Sequence, residues 1–350
     1  MSERKWNIIV LVGTSFLLLL IMGATIFIDP FWHYHGGQGF LEYPLKYERY
    51  QNDGIARHCE YDAIITGTSM TQNFKCSEFD ELWGVKTIKI SNSGATFRES
   101  AENIERALNY NNQVKYVLCS LDGNRINESA DALAYEGYPE YLYDNNPFND
   151  VKYLLNKEVV TKSIAVLSYT RSGQETTSMD EYGHWGRYKL YGAENVINTF
   201  ELAEISEEVH SLSESAIQRI QENVDSNFVE LAQKYPDTTF YLFVPPYSIC
   251  YWEALYRTNQ LNCGIDERKI AMERLLNVEN IRIYDFSHNI SMIENLDNYT
   301  DSLHYGEWIN SEILQMIHND EGRITKDNYL EYYNNLYEVF SKYDYAIYRK

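Results

Sequence analysis

Basic residues are scarce in this chain of 350 residues. It has 30 lysine and arginine residues against 51 aspartate and glutamate residues, and its formal net charge at pH 7 is −21. Nucleic-acid binding depends on a surplus of cations that neutralise phosphates. The composition therefore argues against a nucleic-acid partner. It indicates a soluble, self-repelling surface over an ordinary core, because 44% of the residues are hydrophobic.

Cysteine is also sparse, and the sequence shows no internal repeat or low-complexity tract. The five cysteines are an odd number, which excludes a complete disulfide framework, and none are spaced as C-x-x-C, so cysteine offers no metal site. Cys250 and Cys263 could still bridge one loop if the chain lies outside the cell, and the sequence leaves that alternative open. The length allows one large domain or two modest ones.

Charge is absent from residues 8–28, which are almost wholly apolar. A helix of that length is about 30 Å long, the thickness of a membrane's hydrocarbon core. Arg4 and Lys5 precede the run and Asp29 follows it, so the positive-inside rule places residues 1–7 in the cytoplasm and the chain after Asp29 outside. A cleaved signal peptide is the alternative, but the length of the run and its bulky end at 26–28 favour an uncleaved single-pass anchor.

Aromatic residues flank this apolar run on both sides. Trp6 precedes it, and Phe31, Trp32 and Tyr34 follow it. Amphipathic rings concentrate at the two surfaces of a bilayer, so we expect these side chains to lie at the membrane interfaces.

Short apolar runs alternate with helical patterns after residue 60, which is typical of an α/β fold with a parallel sheet. Strands that helices cover on both faces of a sheet appear in the sequence as short, continuous apolar segments. We predict a flavodoxin-like three-layer sandwich with a central parallel sheet of about five strands, preceded by one transmembrane helix. The predicted strands are residues 62–67, 85–91, 114–121, 238–246 and 281–286.

Several helices are also indicated by their capping and periodicity. Thr96 and Glu99 form a T-x-x-E capping box before an apolar stripe, and Ser211 with Glu214 suggests a second box. Another helix is expected after Tyr305.

These patterns suggest a division of the chain into segments. After the anchor, a connector covers 29–60 and an α/β domain covers 61–320. A polar, tyrosine-rich insertion over about 124–211 either covers the carboxyl edge of the sheet or forms a poorly ordered surface excursion. A tyrosine-rich tail, helical at first, covers 321–350.

Ser69 follows the first predicted strand in the sequence Gly67-Thr68-Ser69-Met70. A glycine there allows a sharp turn and leaves the serine at the strand's carboxyl end, with its N–H at the start of the next helix. G-x-S after a strand is also a common turn. As a nucleophile, Ser69 would need a base.

Two polar turns follow the next two strands and could supply oxyanion donors. Gly94, after the second strand, offers an unhindered N–H, and Asn124, after the third, offers a side-chain amide. Ordinary turns would use the same residues.

The candidate base lies before the last helix, where Asp301 stands three residues ahead of His304. A carboxylate on one imidazole nitrogen leaves the other free to take the serine proton. Asp285 and His288 have the same spacing, but they follow the fifth strand directly. We favour Asp301 and His304 because they sit in a loop before a helix. Serine, glycine, amide and histidine would then all reach one edge of the sheet, where ligands bind in open α/β folds.

These residues resemble the SGNH (GDSL-like) hydrolase family over roughly 61–317. Gly67-Thr68-Ser69-Met70 looks like its first block, Gly94 like its second and Asp301-Ser-Leu-His304 like its last. The third block departs from the usual G-x-N-D, since this chain reads Leu121-Asp122-Gly123-Asn124, and this puts the assignment of Asn124 in doubt.

Within that family, the single anchor followed by Asp29-Pro30-Phe31 and the later Val244-Pro245-Pro246-Tyr247 are similar to a membrane-tethered branch. The branch assists teichoic acid D-alanylation or exopolysaccharide O-acetylation. The resemblance implies an extracellular serine esterase or O-acyltransferase acting on acyl esters of cell-surface glycans or teichoic acids, without a metal or organic cofactor. It also implies a membrane-bound O-acyltransferase as partner. The alternative is a non-catalytic module that binds a glycan or serves as a scaffold for such an acyltransferase.

Overall fold

The computed structural model describes residues 1–135, 138–144 and 146–347. They form two compact units. One, here called the N-terminal unit, comprises Met1–Cys59 and Gly137–Ser178. The other, here called the sheet unit, comprises Glu60–Glu136 and Met179–Lys350. The insertion suggested at 124–211 is thus shared between the two units.

The sheet unit is built on six strands in the order β2-β1-β3-β4-β5-β6. Neighbouring strands from β2 to β5 are parallel, and β6 runs antiparallel to β5. The predicted α/β class and all five predicted strands are confirmed. The sixth strand is only two residues long, too short to give a periodic signal. The strands are β1 Ala63–Thr66, β2 Thr87–Lys89, β3 Tyr116–Ser120, β4 Thr239–Val244, β5 Ile281–Asp285 and β6 Arg323–Ile324.

Helices connect the strands and also form most of the N-terminal unit, to which α1, α2, α6 and α7 belong. A short π-helical stretch, Asp225–Val229, joins α9 to α10. The helices are α1 Glu3–Ile28, α2 Glu48–His58, α3 Ser69–Gln72, α4 Cys76–Trp83, α5 Phe97–Tyr110, α6 Val151–Leu154, α7 Lys157–Arg171, α8 Ala193–Thr199, α9 Glu214–Val224, α10 Glu230–Lys234, α11 Ile249–Arg257, α12 Leu261–Leu275, α13 Ile290–Glu294, α14 Glu307–His318 and α15 Tyr329–Lys342.

One of the two predicted helix caps is confirmed and the other is wrong. The Thr96 hydroxyl accepts the N–H of Glu99 at 3.2 Å and begins α5. Before α9, the cap is Ser213, whose hydroxyl accepts the N–H of Ala216 at 3.2 Å, and not Ser211. The S-x-x-E pattern at Ser211 placed the start two residues early, because the chain becomes helical only at Glu214.

The helix α1 is long and apolar enough to cross a membrane, and it is mostly uncovered by the rest of the protein. A signal sequence shares these properties. Asp29 ends the helix in a left-handed conformation, with φ of 44°. Phe31 and Trp32 are only 3% and 8% exposed, so both rings pack inside the N-terminal unit, and their expected position at a membrane interface stays a prediction. The turn at Asp29 directs Phe31 into a cluster that also contains Tyr153 of the N-terminal unit.

All five cysteines are free thiols. Cys250 is buried in α11, and Cys263 is half-buried in α12. The bridge left open by the sequence is therefore not formed.

Candidate active site

Ser69 lies at the carboxyl end of β1, where the chain makes a sharp turn into α3. Gly67 has a φ of 126°, and a Cβ atom placed on it would lie 2.5 Å from the Ser120 Oγ. Only glycine suits both the backbone conformation and this close approach. Thr68 then caps the short helix, because its hydroxyl accepts the N–H of Met70 at 3.2 Å. The turn thereby presents Ser69 as the first residue of α3.

The structure brings Ser69, His304 and Asp301 together across 235 residues of chain. The Ser69 Oγ lies 2.8 Å from the His304 Nε2. On the other side of the imidazole, Nδ1 lies 2.9 Å from the Asp301 Oδ2 and 3.0 Å from Oδ1. An ionised carboxylate can only accept a hydrogen bond, so the neutral ring carries its hydrogen on Nδ1 and Nε2 is free to accept a hydrogen bond from the serine hydroxyl. This is the connectivity of a Ser-His-Asp triad.

Asp301 is held as an ionised acceptor by its surroundings. Its Oδ1 accepts the backbone N–H groups of Leu303 and His304, each at 2.8 Å. Burial alone would raise the pKa of this carboxyl. The hydrogen bond and charge of His304, together with the two N–H groups, outweigh burial, and the pKa is held below its usual value. Asp301 is therefore a carboxylate at neutral pH.

The loop that carries Asp301 and His304 is closed on itself and tied to the segment after β4. Tyr299 and Tyr305 form an antiparallel bridge at its base. The Tyr299 hydroxyl donates to the Pro246 carbonyl at 2.7 Å, and the Ser248 hydroxyl donates to the Ser302 carbonyl at 2.8 Å. These contacts hold the histidine at the sheet edge where Ser69 emerges.

The alternative pair, Asp285 and His288, is engaged elsewhere. The Asp285 carboxylate accepts the Ser287 N–H at 2.8 Å and the Tyr333 hydroxyl at 2.9 Å. The His288 ring contacts the backbone carbonyl of Asp285, at 3.0 Å, rather than its carboxylate. Of the two D-x-x-H pairs, the one at Asp301 faces the serine.

Gly94 and Asn124 follow β2 and β3, the two neighbours of β1 in the sheet. Gly94 has a φ of 63°, and its carbonyl accepts a hydrogen bond from Arg125 at 2.9 Å. Asn124 is exposed in a short 3-10 helix, Gly123–Arg125. Within the part of the chain that the structure describes, neither residue is hydrogen-bonded to Ser69. Their roles as oxyanion donors stay predictions.

Asp122, which the sequence did not single out, organises the buried side of the site. Its carboxylate accepts the Thr68 hydroxyl at 3.0 Å, the Ser120 hydroxyl at 2.6 Å and the Tyr247 hydroxyl at 2.9 Å. Burial raises the pKa of Asp122, although these three hydrogen bonds act to lower it. The irregular third block and the Val-Pro-Pro-Tyr segment, noted as separate features of the sequence, meet at this carboxylate.

Trp185 is the second residue that sequence reasoning missed. Its indole N–H donates to the Ser69 carbonyl at 2.9 Å, and its ring lies edge-on to the His304 ring at 5.2 Å between centroids. The Asn73 side-chain oxygen accepts the backbone N–H groups of Trp185 and Gly186, at 3.1 and 3.0 Å. Trp185 thus contacts both members of the Ser–His pair. Its segment carries no recognisable motif, so no sequence signal pointed to it.

Side chains that commonly ligate metals are dispersed over the described chain. In residues 1–135, 138–144 and 146–347, no three or more His, Cys, Asp or Glu side chains are grouped so that they could hold a metal ion.

Fold and site together define an α/β protein with a Ser-His-Asp arrangement at the carboxyl edge of a mostly parallel sheet. No protein-family profile and no curated protein matches the chain. A solved structure from Streptococcus pneumonia, provisionally described as a platelet activating factor, is similar at 12% identity with a TM-score of 0.39, over 78% of this chain and 90% of that chain. Likeness at that distance transfers no function, so the chemistry of this chain is inferred from its own geometry.

Proposed function

We propose that this chain is a membrane-anchored, extracytoplasmic serine esterase or O-acyltransferase that acts on acyl esters of cell-surface glycans or teichoic acids. The observation that carries the chemistry is the 2.8 Å contact between the Ser69 Oγ and the His304 Nε2, with Asp301 on the opposite nitrogen. The separation is within the hydrogen-bonding reach of about 2.6–3.2 Å expected of a nucleophile and its base. The proposed location at the outer face of a membrane is supported by the long apolar helix α1 and by the resemblance to the membrane-tethered branch of the SGNH family.

In the first half of the reaction, the Ser69 Oγ attacks the acyl carbonyl carbon while its proton passes to the His304 Nε2. Asp301 stabilises the resulting imidazolium. The oxyanion is stabilised by the N–H groups of Ser69 and Gly94 and by the Asn124 amide. When the ester C–O bond breaks, the leaving alkoxide takes the proton from Nε2, and the acyl group stays on the serine.

In the second half, His304 removes a proton from water or from a glycan hydroxyl, which attacks the acyl carbonyl carbon. The bond from that carbon to the Ser69 Oγ then breaks, and Oγ takes the proton back from the His304 Nε2. Water as acceptor gives hydrolysis, and a glycan hydroxyl gives transfer. The outcome depends on how well water is excluded while the acyl-enzyme exists. A membrane-bound O-acyltransferase is the proposed partner that would deliver the acyl group.

The test is labelling of the intact purified chain by a fluorophosphonate, which reacts with activated serines. Labelling should occur in wild type and vanish in Ser69→Ala. His304→Asn should lower the labelling rate by at least about a hundredfold, as expected when a general base is lost. His288→Asn is the matched control, since this exposed histidine has the same spacing from an aspartate, and it should label like wild type.

A second candidate function is a non-catalytic SGNH-like module that binds a glycan or serves as a scaffold for the acyltransferase. It is favoured by the exposed position of Asn124 and by the use of the third-block aspartate, Asp122, as a buried structural acceptor. Absence of labelling in the wild type, with the chain shown to be folded, would select this function over the enzyme.

A further inference from the structure

The helix α7 has two apolar stripes, although a helix of a water-soluble unit needs only one. Val159, Ser163 and Val166 are buried and form the stripe that faces the protein. A second stripe of Val160, Ile164 and Leu167 lies about 100° further around the helix, since each member follows a buried one by one residue. Ile164 is 63% exposed and Leu167 is 47% exposed. Two of the three side chains in this second stripe are therefore exposed, and Val160 is half-buried.

The segment before α7 also exposes apolar side chains. Phe148 is 91% exposed, Val151 is 49% exposed and Leu155 is 37% exposed. These three side chains, with Val160, Ile164 and Leu167, are here called the contact surface. Five of these six apolar side chains are exposed within residues 148–167, and concentrated apolar exposure is typical of a binding surface.

Both α6 and α7 pack against α1, the candidate membrane helix. The Thr25 hydroxyl donates to the Leu154 carbonyl at 3.4 Å, and Met22 packs against the cluster that contains Leu154 and Val159. The contact surface is thus attached to the last two turns of α1.

A buried polar network holds that attachment in place. The Asp29 carboxylate accepts the backbone N–H groups of His33, Tyr34 and His35 at 2.7–3.0 Å. It also accepts the hydroxyl of Tyr153, in α6, at 2.7 Å. Asp29 is completely buried, so α6 is bound to the end of α1 by a charge-assisted hydrogen bond shielded from water.

The position of these contacts along α1 sets their depth. The apolar run 8–28 is about as long as a hydrocarbon core is thick, and Met22 lies about 9 Å before Ile28 along the helix axis. With α1 spanning the bilayer, as the proposed function requires, side chains that surround Met22 and Thr25 lie level with the outer margin of the hydrocarbon core. Water is not available there to solvate a polar surface, and an apolar one is required.

Charge complements this placement. Residues 146–171 contain four cations, Lys152, Lys157, Lys162 and Arg171, and two anions, Asp150 and Glu158, whereas the whole chain has a net charge of −21. Lys157 stands one turn before Val160, and Arg171 stands one turn after Leu167. A cation thus flanks the stripe at each end and can reach lipid phosphates.

We propose that the contact surface binds a phospholipid bilayer, in the leaflet at the Asp29 end of α1, so that α7 lies in the membrane interface beside the spanning helix. A helix that lies in the plane of the interface buries apolar side chains among the acyl chains and keeps basic side chains near the headgroups.

The experiment uses the full chain, with α1 retained as verified by its mass, in nanodiscs of phosphatidylcholine and phosphatidylglycerol that hold one copy each. Leu167→Cys and Glu158→Cys are compared for reaction with a bulky, membrane-impermeant maleimide, with peptide mass spectrometry to separate them from the native cysteines. Glu158 is the matched control, because it is exposed on the same helix but lies on the side opposite Leu167. Both substitutions are at exposed positions and leave the core intact.

Burial in lipid withholds a thiol from the reagent and disfavours its thiolate, so Leu167→Cys should react at least about tenfold more slowly than Glu158→Cys. Ile164→Cys should behave as Leu167→Cys does. Rates that agree within about twofold would place the stripe in water and overturn the proposal. Protection seen only in discs that hold two copies would also overturn it, since a second copy would then cover the stripe.

Discussion

Asp122 lies beneath the turn that presents Ser69 and receives three hydroxyl hydrogen bonds there. Its neighbour Asn124, two residues later, is exposed in the short 3-10 helix Gly123–Arg125. Of these two neighbouring polar side chains, one is buried and the other is exposed. Their substitution should therefore change the free energy of unfolding by very different amounts.

Asp122→Ala should destabilise the sheet unit by about 3 kcal/mol or more, because buried hydroxyls left without an acceptor cost about 1–3 kcal/mol each. Urea unfolding monitored by near-ultraviolet circular dichroism measures the change. Asn124→Ala, the control, should change the free energy of unfolding by no more than about 0.5 kcal/mol. A similar small effect for both variants would show that Asp122 does not hold the turn.

Asp301 should make the stability of the sheet unit depend on pH. Its pKa is lower in the folded chain than in the unfolded chain, so its carboxylate stabilises the fold above the unfolded value of about 3.9. That contribution is lost as the pH falls through the lower folded-state pKa. Asp301→Asn should therefore unfold at a lower urea concentration than wild type at pH 7, and the difference should shrink as the pH falls below about 4. A difference that stayed constant down to about pH 2 would contradict this assignment.

At the scale of elements, the β1–α3 connection is the feature that orients Ser69 at the carboxyl end of the strand. It combines a positive φ at Gly67, the cap at Thr68 and the close approach of β3 through Ser120. Strand and helix could both form without this geometry, but Ser69 would then point elsewhere.

Gly67→Ala should abolish fluorophosphonate labelling and destabilise the sheet unit by several kcal/mol, because the added Cβ would lie 2.5 Å from the Ser120 Oγ. Gly84→Ala is the matched control. Gly84 also has a positive φ, 65°, but its added Cβ would meet nothing within 4 Å. Only the conformational cost of about 1 kcal/mol should remain, with labelling unchanged. Equal losses in the two variants would show that steric approach to β3 is not what requires glycine at position 67.

At the scale of the whole molecule, the chain forms two compact units, and Asp29 is the buried acceptor at the centre of one of them. Units with separate cores can open separately, and the free energy of local opening is measured by protease susceptibility. The catalytic candidates Ser69, Asp301 and His304 all belong to the other unit.

Asp29→Ala should raise the rate of proteolytic cleavage within residues 29–59 and 146–178 by about tenfold or more, since four donors lose their acceptor. Fragments assigned by mass spectrometry report the position of each cut. The ranges 60–135 and 179–347 should stay protected, and Ser69 should still react with the fluorophosphonate. Glu158→Ala, on the exposed side of α7, is the control and should leave the cleavage rate unchanged. Simultaneous exposure of both units would contradict separate opening.

The amino-acid sequence by itself determined the five parallel strands and the long apolar N-terminal helix, and it favoured Ser69, Asp301 and His304 as candidate residues. Each of these depends on local information: a buried strand is a continuous apolar run, a spanning helix is a long one, and the carboxyl ends of parallel strands share an edge. Strand β6 was not predicted, because two residues are too few to show a periodic pattern. The start of α9 was predicted two residues too early, because a capping pattern also occurs at Ser211.

Only the tertiary structure decided which of two identical D-x-x-H spacings meets the serine. Spacing along the chain fixes neighbours within a loop, but the choice of His304 depends on bonds from Tyr299 and Ser248 to segments more than 50 residues away in the chain. The burial of Asp122, the contact of Trp185 with Ser69 and the turn of Phe31 into a core have the same origin. Each arises from packing between distant segments, which no local pattern encodes.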